Sequence, residues 1–232
     1  MRTRRPSSPS RPASKSRPVR PARTTRNVVA AVAAAGLLAA PLAGCSILGG
    51  GSAPTAVASI PSLSGRTTAI KLDAGFAGAL KKLKLTPGTV GKARLAKGSL
   101  IFPITGGNVT VFKPGEVSPY VIGQVQHEGS GFSLAAAGTK VALTNFNVDP
   151  GVSRVYGDVA VNGKTAATSV YLFSLDGRTL KPLATKGRTA ILQGTQVKIS
   201  PVAAPLLDKT FHTKAVKAGL LVGIATITVN VK

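Results

Sequence analysis

The chain has 232 residues, with 30 Lys and Arg against 7 Asp and Glu, a formal net charge of +23, 44% hydrophobic residues, no Trp and one Cys. A single Cys excludes a disulfide framework and a Cys-based zinc site within one chain, and the composition is neither collagen-like nor coiled-coil. With 26 Gly, 16 Pro and 4% aromatic residues, the chain is poor in the side chains that stack on nucleic-acid bases and reads as β-rich.

Residues 1–26 are Arg, Pro and Ser with almost no apolar side chains, and are expected to stay disordered because they cannot bury enough surface to offset ordering entropy. An uninterrupted apolar run follows from residue 28 to 40, then Pro41 and Leu42-Ala43-Gly44-Cys45. A charged segment, an apolar segment and a small-residue cleavage site in that order read as an export signal. The run is shorter than the ~20 residues needed to span a bilayer as a helix, and Pro41 interrupts it. The tetrapeptide resembles a bacterial lipobox at all four positions. That resemblance implies cleavage between Gly44 and Cys45 and a diacylglycerol thioether on Cys45, a bond for which a Ser hydroxyl would be a poorer nucleophile. Two or three acyl chains hold a protein stably on a membrane where one does not. Arg4-Arg5 invites a twin-arginine reading, but lacks the hydrophobic positions that follow the pair in that signal.

Nine of the 30 basic residues and none of the seven acidic ones lie in residues 1–44, so residues 45–232 carry 21 against 7, a net of +14. The expected organisation is a disordered basic segment plus signal peptide over 1–44, a lipid-anchored flexible Gly/Ser/Pro/Ala tether over 45–66, and a β-rich domain over 67–232. The expected location is the outer face of the cytoplasmic membrane. There the positive charge, concentrated early at Lys81, Lys82, Lys84, Lys92, Arg94 and Lys97, would face anionic lipid headgroups or envelope polymers, or serve only as a solvated face. Nucleic acid is not an expected partner.

Residues 67–72 read as a strand. Asp73 is a plausible N-cap for a short helix whose apolar stripe is Phe76, Leu80 and Leu83, stopped by Thr86-Pro87-Gly88. Short apolar segments between Gly-rich turns then predict strands over 90–96, 99–104, 108–112, 120–127, 131–136, 140–148, 154–161 and 168–175, the pattern of an antiparallel sandwich or barrel-like domain. Thr105-Gly106-Gly107-Asn108 and Val161-Asn162-Gly163-Lys164 read as hairpin turns. Val155, Gly157, Val159 and Val161 share one face of a strand. Pro103 places its strand at an edge or a bulge. Ser200-Pro201 opens a second short helix through about residue 211, with Val202, Leu206 and Leu207 inward and Pro205 straining it. A final strand over 220–232 puts Leu221, Gly223, Ala225, Ile227, Val229 and Val231 on one face.

Candidate chemistry is scarce. The seven carboxylates, Asp73, Glu116, Glu128, Asp149, Asp158, Asp176 and Asp208, form no close pair in sequence, and neither a nucleophile elbow nor a phosphate loop is present. No catalytic or metal-ligating set is expected. His127 stands out: alternation places Val121, Gly123, Val125 and His127 on one face and Gln124, Gln126 and Glu128 on the other, so the imidazole should point inward. It reads either as an axial metal or haem ligand or as a hydrogen-bonded core histidine at a strand end. His212, near the end of the second helix, reads as a partner for that helix's dipole.

The run Gly123-Gln-Val-Gln-His127-Glu-Gly129-Ser-Gly131-Phe-Ser-Leu134, preceded by Ile101-Phe102-Pro103-Ile104 and followed by Val141-Ala-Leu143-Thr-Asn145-Phe146, resembles the HtaA-type domain of actinobacterial cell-surface haem-uptake proteins. The resemblance spreads over about residues 70–230 and implies an all-β, sandwich-like module displayed outside the membrane. It also implies haem held by a Tyr with a nearby His, whose motif position His127 matches. Phe76 and Phe211-His212 stand where the family tends to carry its tyrosines, and nothing transfers a ligand role to Tyr120, Tyr156 or Tyr171. The first expectation is therefore an exported, lipid-anchored, non-catalytic binding or structural module without cofactor. The alternative is a carrier of haem or another small ligand through His127.

Overall fold

The computed structural model describes residues 53–231; the signal segment, Cys45 and the start of the expected tether lie outside them. The described chain is an antiparallel β-domain of thirteen strands with two short α-helices, as the sequence predicts. No helix in it is long and apolar enough to cross a membrane. The strands are β1 (Ala56–Ile60), β2 (Thr67–Leu72), β3 (Thr86–Gly91), β4 (Arg94–Ala96), β5 (Ser99–Pro103), β6 (Gly106–Phe112), β7 (Val121–Ala136), β8 (Thr139–Asp149), β9 (Arg154–Val161), β10 (Lys164–Asp176), β11 (Ala184–Lys186), β12 (Thr189–Ile199) and β13 (Leu221–Asn230). Helix α1 covers Ala74–Lys82 and α2 covers Ala203–Thr210.

The main hydrogen-bonded path runs β1-β6-β7-β8-β9-β10-β12-β13-β2-β5-β4, with β3 beside the second half of β7 and β11 beside β12. The strands next to its two ends, β6 and β5, are consecutive in the chain, because β5 runs through Ile104 and Thr105 straight into β6. Ile104 N–H donates to the Arg66 carbonyl at 2.9 Å and Thr105 N–H to the Gln126 carbonyl at 2.8 Å. The sheet therefore curls back on itself into a sandwich-like body without becoming a closed barrel, since β5 and β6 do not pair.

The curl has a local cause on β7 to β10. Register shifts occur in β7 between His127 and Gly131, in β8 between Thr144 and Asn147, and in β10 between Ala167 and Val170. Each of these intervals holds a residue with positive φ, namely Gly129, Asn145 and Ser169. Asp158 ties the last two together by accepting from the Asn145 side-chain amide at 2.9 Å and from Ser169 N–H at 3.0 Å. Gly129 N–H in turn donates to the Asn145 side-chain oxygen at 3.0 Å. Bulges aligned across neighbouring strands bend them at the same height.

Several local expectations meet the structure directly. Asp73 caps α1 by accepting from Gly75 N–H and Phe76 N–H at 2.8 and 3.2 Å, and Phe76 and Leu80 are buried. Asn162 and Gly163, both with positive φ, turn β9 into β10. Pro103 pairs with Thr67 on one side only, since β4 accompanies β5 no further than Ile101.

Other expectations are corrected. Part of the expected tether, Ala56–Ile60, is a strand on β6, and Leu63 behind it is buried. Thr86-Pro87-Gly88 does not stop α1 but opens β3. The helix ends earlier, where Lys84 adopts φ 53 and the N–H groups of Lys84 and Leu85 return to the carbonyls of Lys81 and Leu80, a Schellman closure made without glycine. The expected strand over 90–96 is two, β3 and β4, because the chain turns at Gly91. The segments 120–127 and 131–136 are one strand, β7. Residues 105–108 form no hairpin, because β6 continues away from β5. In α2, Val202 is exposed, and Ala203, Ala204 and Leu207 face the core. Pro205 falls in the first turn, where a missing N–H removes no helical bond, so it does not strain the helix. In β13 Val222 is buried alongside Gly223, Ala225 and Val229, so the inward face is not one unbroken alternation.

Candidate functional site

Curling leaves a cavity of about 1150 Å³ between the facing parts of the sheet. Its wall is mostly aliphatic, from Ile70, Val125, Val155, Leu192, Val222 and Ile227 among others, with Phe102, Phe146 and Phe173 forming an aromatic ridge. Those three rings meet edge to face, with centroids 5.3 Å apart for Phe102 and Phe146 and 6.1 Å for Phe146 and Phe173, the arrangement that aromatic quadrupoles favour.

His127 stands in this wall. Alternation along β7 points it inward as the sequence predicts, 1% exposed. Its Nδ1 lies 3.3 Å from the Phe146 carbonyl oxygen, which can only accept, so Nδ1 carries the proton. Nε2 is then the acceptor for the Thr68 hydroxyl, 2.8 Å away on β2. Burial pushes the imidazole pKa down to about 4, against a smaller upward pull from the Phe146 and Val125 carbonyls, so the ring is neutral near pH 7. Ser130 closes the site from behind, its hydroxyl donating to the His127 carbonyl at 3.0 Å.

The charged members of the cavity wall are Glu116, Asp176, Arg178 and Lys198. Glu116 belongs to the loop between β6 and β7, Asp176 ends β10, and Arg178 lies in the turn that follows. Together with Pro150 and Ser153 between β8 and β9, these residues form the rim. Asp176 accepts from Arg178 Nη2 at 2.7 Å and from Lys198 Nζ at 2.8 Å. The Arg178 and Lys198 hydrogen bonds hold its carboxyl well below the usual carboxylate range. No periodicity announces this rim. Only Asp176-Gly177 gives a local turn signal, and residues 113–119 read merely as a break between strands.

The other sequence candidates lie elsewhere. Tyr120 lines the cavity, its hydroxyl donating to the Leu180 carbonyl at 3.4 Å, and burial raises its pKa. Tyr156 and Tyr171 do not line it: their rings lie 6.0 Å apart, tilted by 45°, with Arg154 4.6 Å over Tyr171. Phe76 is buried against the core from α1, and His212 is exposed with φ 52 just past α2. The six early cations, Lys81 to Lys97, are all exposed; both ion pairs among the described residues belong to Asp176. No group of three or more His, Cys, Asp or Glu side chains gathers among the described residues. Cys45 and Gly44 lie outside them.

No protein-family model matches this chain, and no curated protein sequence does. Among solved structures it is similar to the C-terminal domain of HtaA from Corynebacterium glutamicum, with 12% identity and a TM-score of 0.51 over 73% of this chain and 98% of that one. It is also similar to the heme-binding protein HtaB of the same organism, with 10% identity and a TM-score of 0.44 over 75% of this chain and 96% of that one. What the chain shares with the HtaA domain at this identity is its fold.

Proposed function

We propose that this protein is a non-catalytic carrier that holds a small, largely apolar ligand inside its curled sheet. The observation that carries this reading is the cavity of about 1150 Å³, which lies above the usual ~300–1,000 Å³ of small-molecule pockets and combines an apolar wall with a few polar groups. That cavity supports a carrier better than a purely structural envelope module, which has no use for one. We further propose that Cys45 bears a lipid anchor, so that the domain works at the outer face of the cytoplasmic membrane, its basic surface near anionic headgroups or polymers.

Haem is the ligand that the resemblance to HtaA-type domains implies. The apolar wall suits the faces of a porphyrin, but the donor set does not suit its iron. His127 offers no free lone pair, burial raises the Tyr120 pKa against the phenolate that would bind iron, and buried Phe76 stands where the resemblance would put a tyrosine. No step of the function is therefore assigned to haem.

Native mass spectrometry of the exported, mature protein tests the carrier reading. A stoichiometric extra mass, lost on organic extraction, is the expected result. A bare chain that also takes up no apolar probe would overturn it.

A further inference from the structure

We infer that the ligand is a long-chain aliphatic amphiphile, its chain in the cavity and its polar head at the rim, and not a metalloporphyrin; the inference rests on the carrier reading. Three features of the cavity carry it. First, the two buried polar side chains in the wall, His127 and Thr68, satisfy each other: the imidazole gives its proton to the Phe146 carbonyl and takes the Thr68 proton at 2.8 Å. Neither ring nitrogen is left to bind a metal or a polar ligand atom, and breaking the pair would leave a buried group unpaired. A ligand that reaches this depth gains most if it is apolar there.

Second, the charged groups of the wall are Glu116, Asp176, Arg178 and Lys198, two of each sign, and the last three form one ion-paired cluster. The charged partners for the polar end of a ligand are thus these four groups. Arg178, whose side chain is 85% exposed, meets Asp176 through Nε and Nη2 at the surface, while Lys198, at 25%, is held closer to the wall. Third, the wall is mainly aliphatic and the volume exceeds that of ordinary small-molecule pockets, which suits a flexible chain that fills irregular space as it is buried, methylene by methylene.

The experiment uses the exported, mature protein, with two probes: the fluorescent fatty acid cis-parinaric acid, displaced by unlabelled palmitate, and haemin, followed by its Soret band. The expected result is saturable parinaric acid binding that palmitate displaces. His127→Gln should change its affinity less than threefold, and Ala225→Phe, which puts a ring into the cavity, should weaken it at least tenfold. Palmitate displacement on the unmutated protein keeps the test valid if Ala225→Phe does not fold. Haemin binding with a Soret band abolished by His127→Gln, together with no parinaric acid binding, would overturn this inference and leave the carrier reading standing. Failure of both probes, with a bare chain mass, would overturn the carrier reading itself.

Discussion

The Nε2 atom of His127 and the hydroxyl of Thr68 lie 2.8 Å apart inside the domain, although 59 residues separate them along the chain. This contact joins β7 to β2 across the interior, and it fixes the imidazole as a neutral acceptor. Thr68→Val keeps the shape of the side chain but removes the donor, leaving a buried ring nitrogen unpaired. The expected cost is about 1–3 kcal/mol in urea unfolding, most of it recovered by Thr68→Ser. Equal stability for Thr68→Val and wild type would mean the contact contributes nothing.

The same burial makes stability depend on pH. The folded imidazole takes a proton only near pH 4, the unfolded one near 6.5. Between these values the unfolded chain binds more protons, so stability falls as pH drops through 6.5 and the loss is complete below about 4. Unfolding at pH 5 should be about 2 kcal/mol easier than at pH 7 on this account. His127→Gln should remove most of that difference; an unchanged pH slope in the variant would assign it to other groups.

Two glycines should respond in opposite directions. Gly107 has φ +113, and a Cβ there would collide with the Gln124 carbonyl oxygen, so Gly107→Ala must separate β6 from β7 at a cost of about 3 kcal/mol or more. Gly78 lies within α1 with nothing within 4 Å of its Cβ position, so Gly78→Ala should stabilise by about 0.5–1 kcal/mol. Thermal unfolding of the two variants beside wild type checks both signs.

For the lipid anchor, labelling intact cells with radioactive palmitate should mark the wild-type protein, and Cys45→Ser should abolish the label and release the protein from the membrane fraction. A Cys45→Ser protein labelled as heavily as wild type would refute the anchor.

Alternation along β7 was enough to point His127 inward, because side-chain direction in a strand depends only on parity between near neighbours. The Asp73 cap, the Phe76 and Leu80 stripe and the Asn162-Gly163 turn were legible for the same reason: each is made by residues within a few positions of one another. Thr105–Asn108 reads as a hairpin in sequence but is not one, because a glycine serves equally well where a strand approaches a neighbour, as Gly107 does at Gln124. Only the fold could show that β5 and β6, consecutive in the chain, lie next to opposite ends of one hydrogen-bonded path.

The sequence by itself determined a β-rich chain with its one core histidine facing inward, since composition and short-range periodicity are properties of adjacent residues. Tertiary structure alone decided that Thr68 would answer that histidine, that Asp176 would hold Arg178 and Lys198 at a rim, and that the interior would stay open. Those outcomes depend on which distant strands become neighbours and on how completely their side chains fill the space a bent sheet encloses, and neither quantity is written in any local stretch of residues.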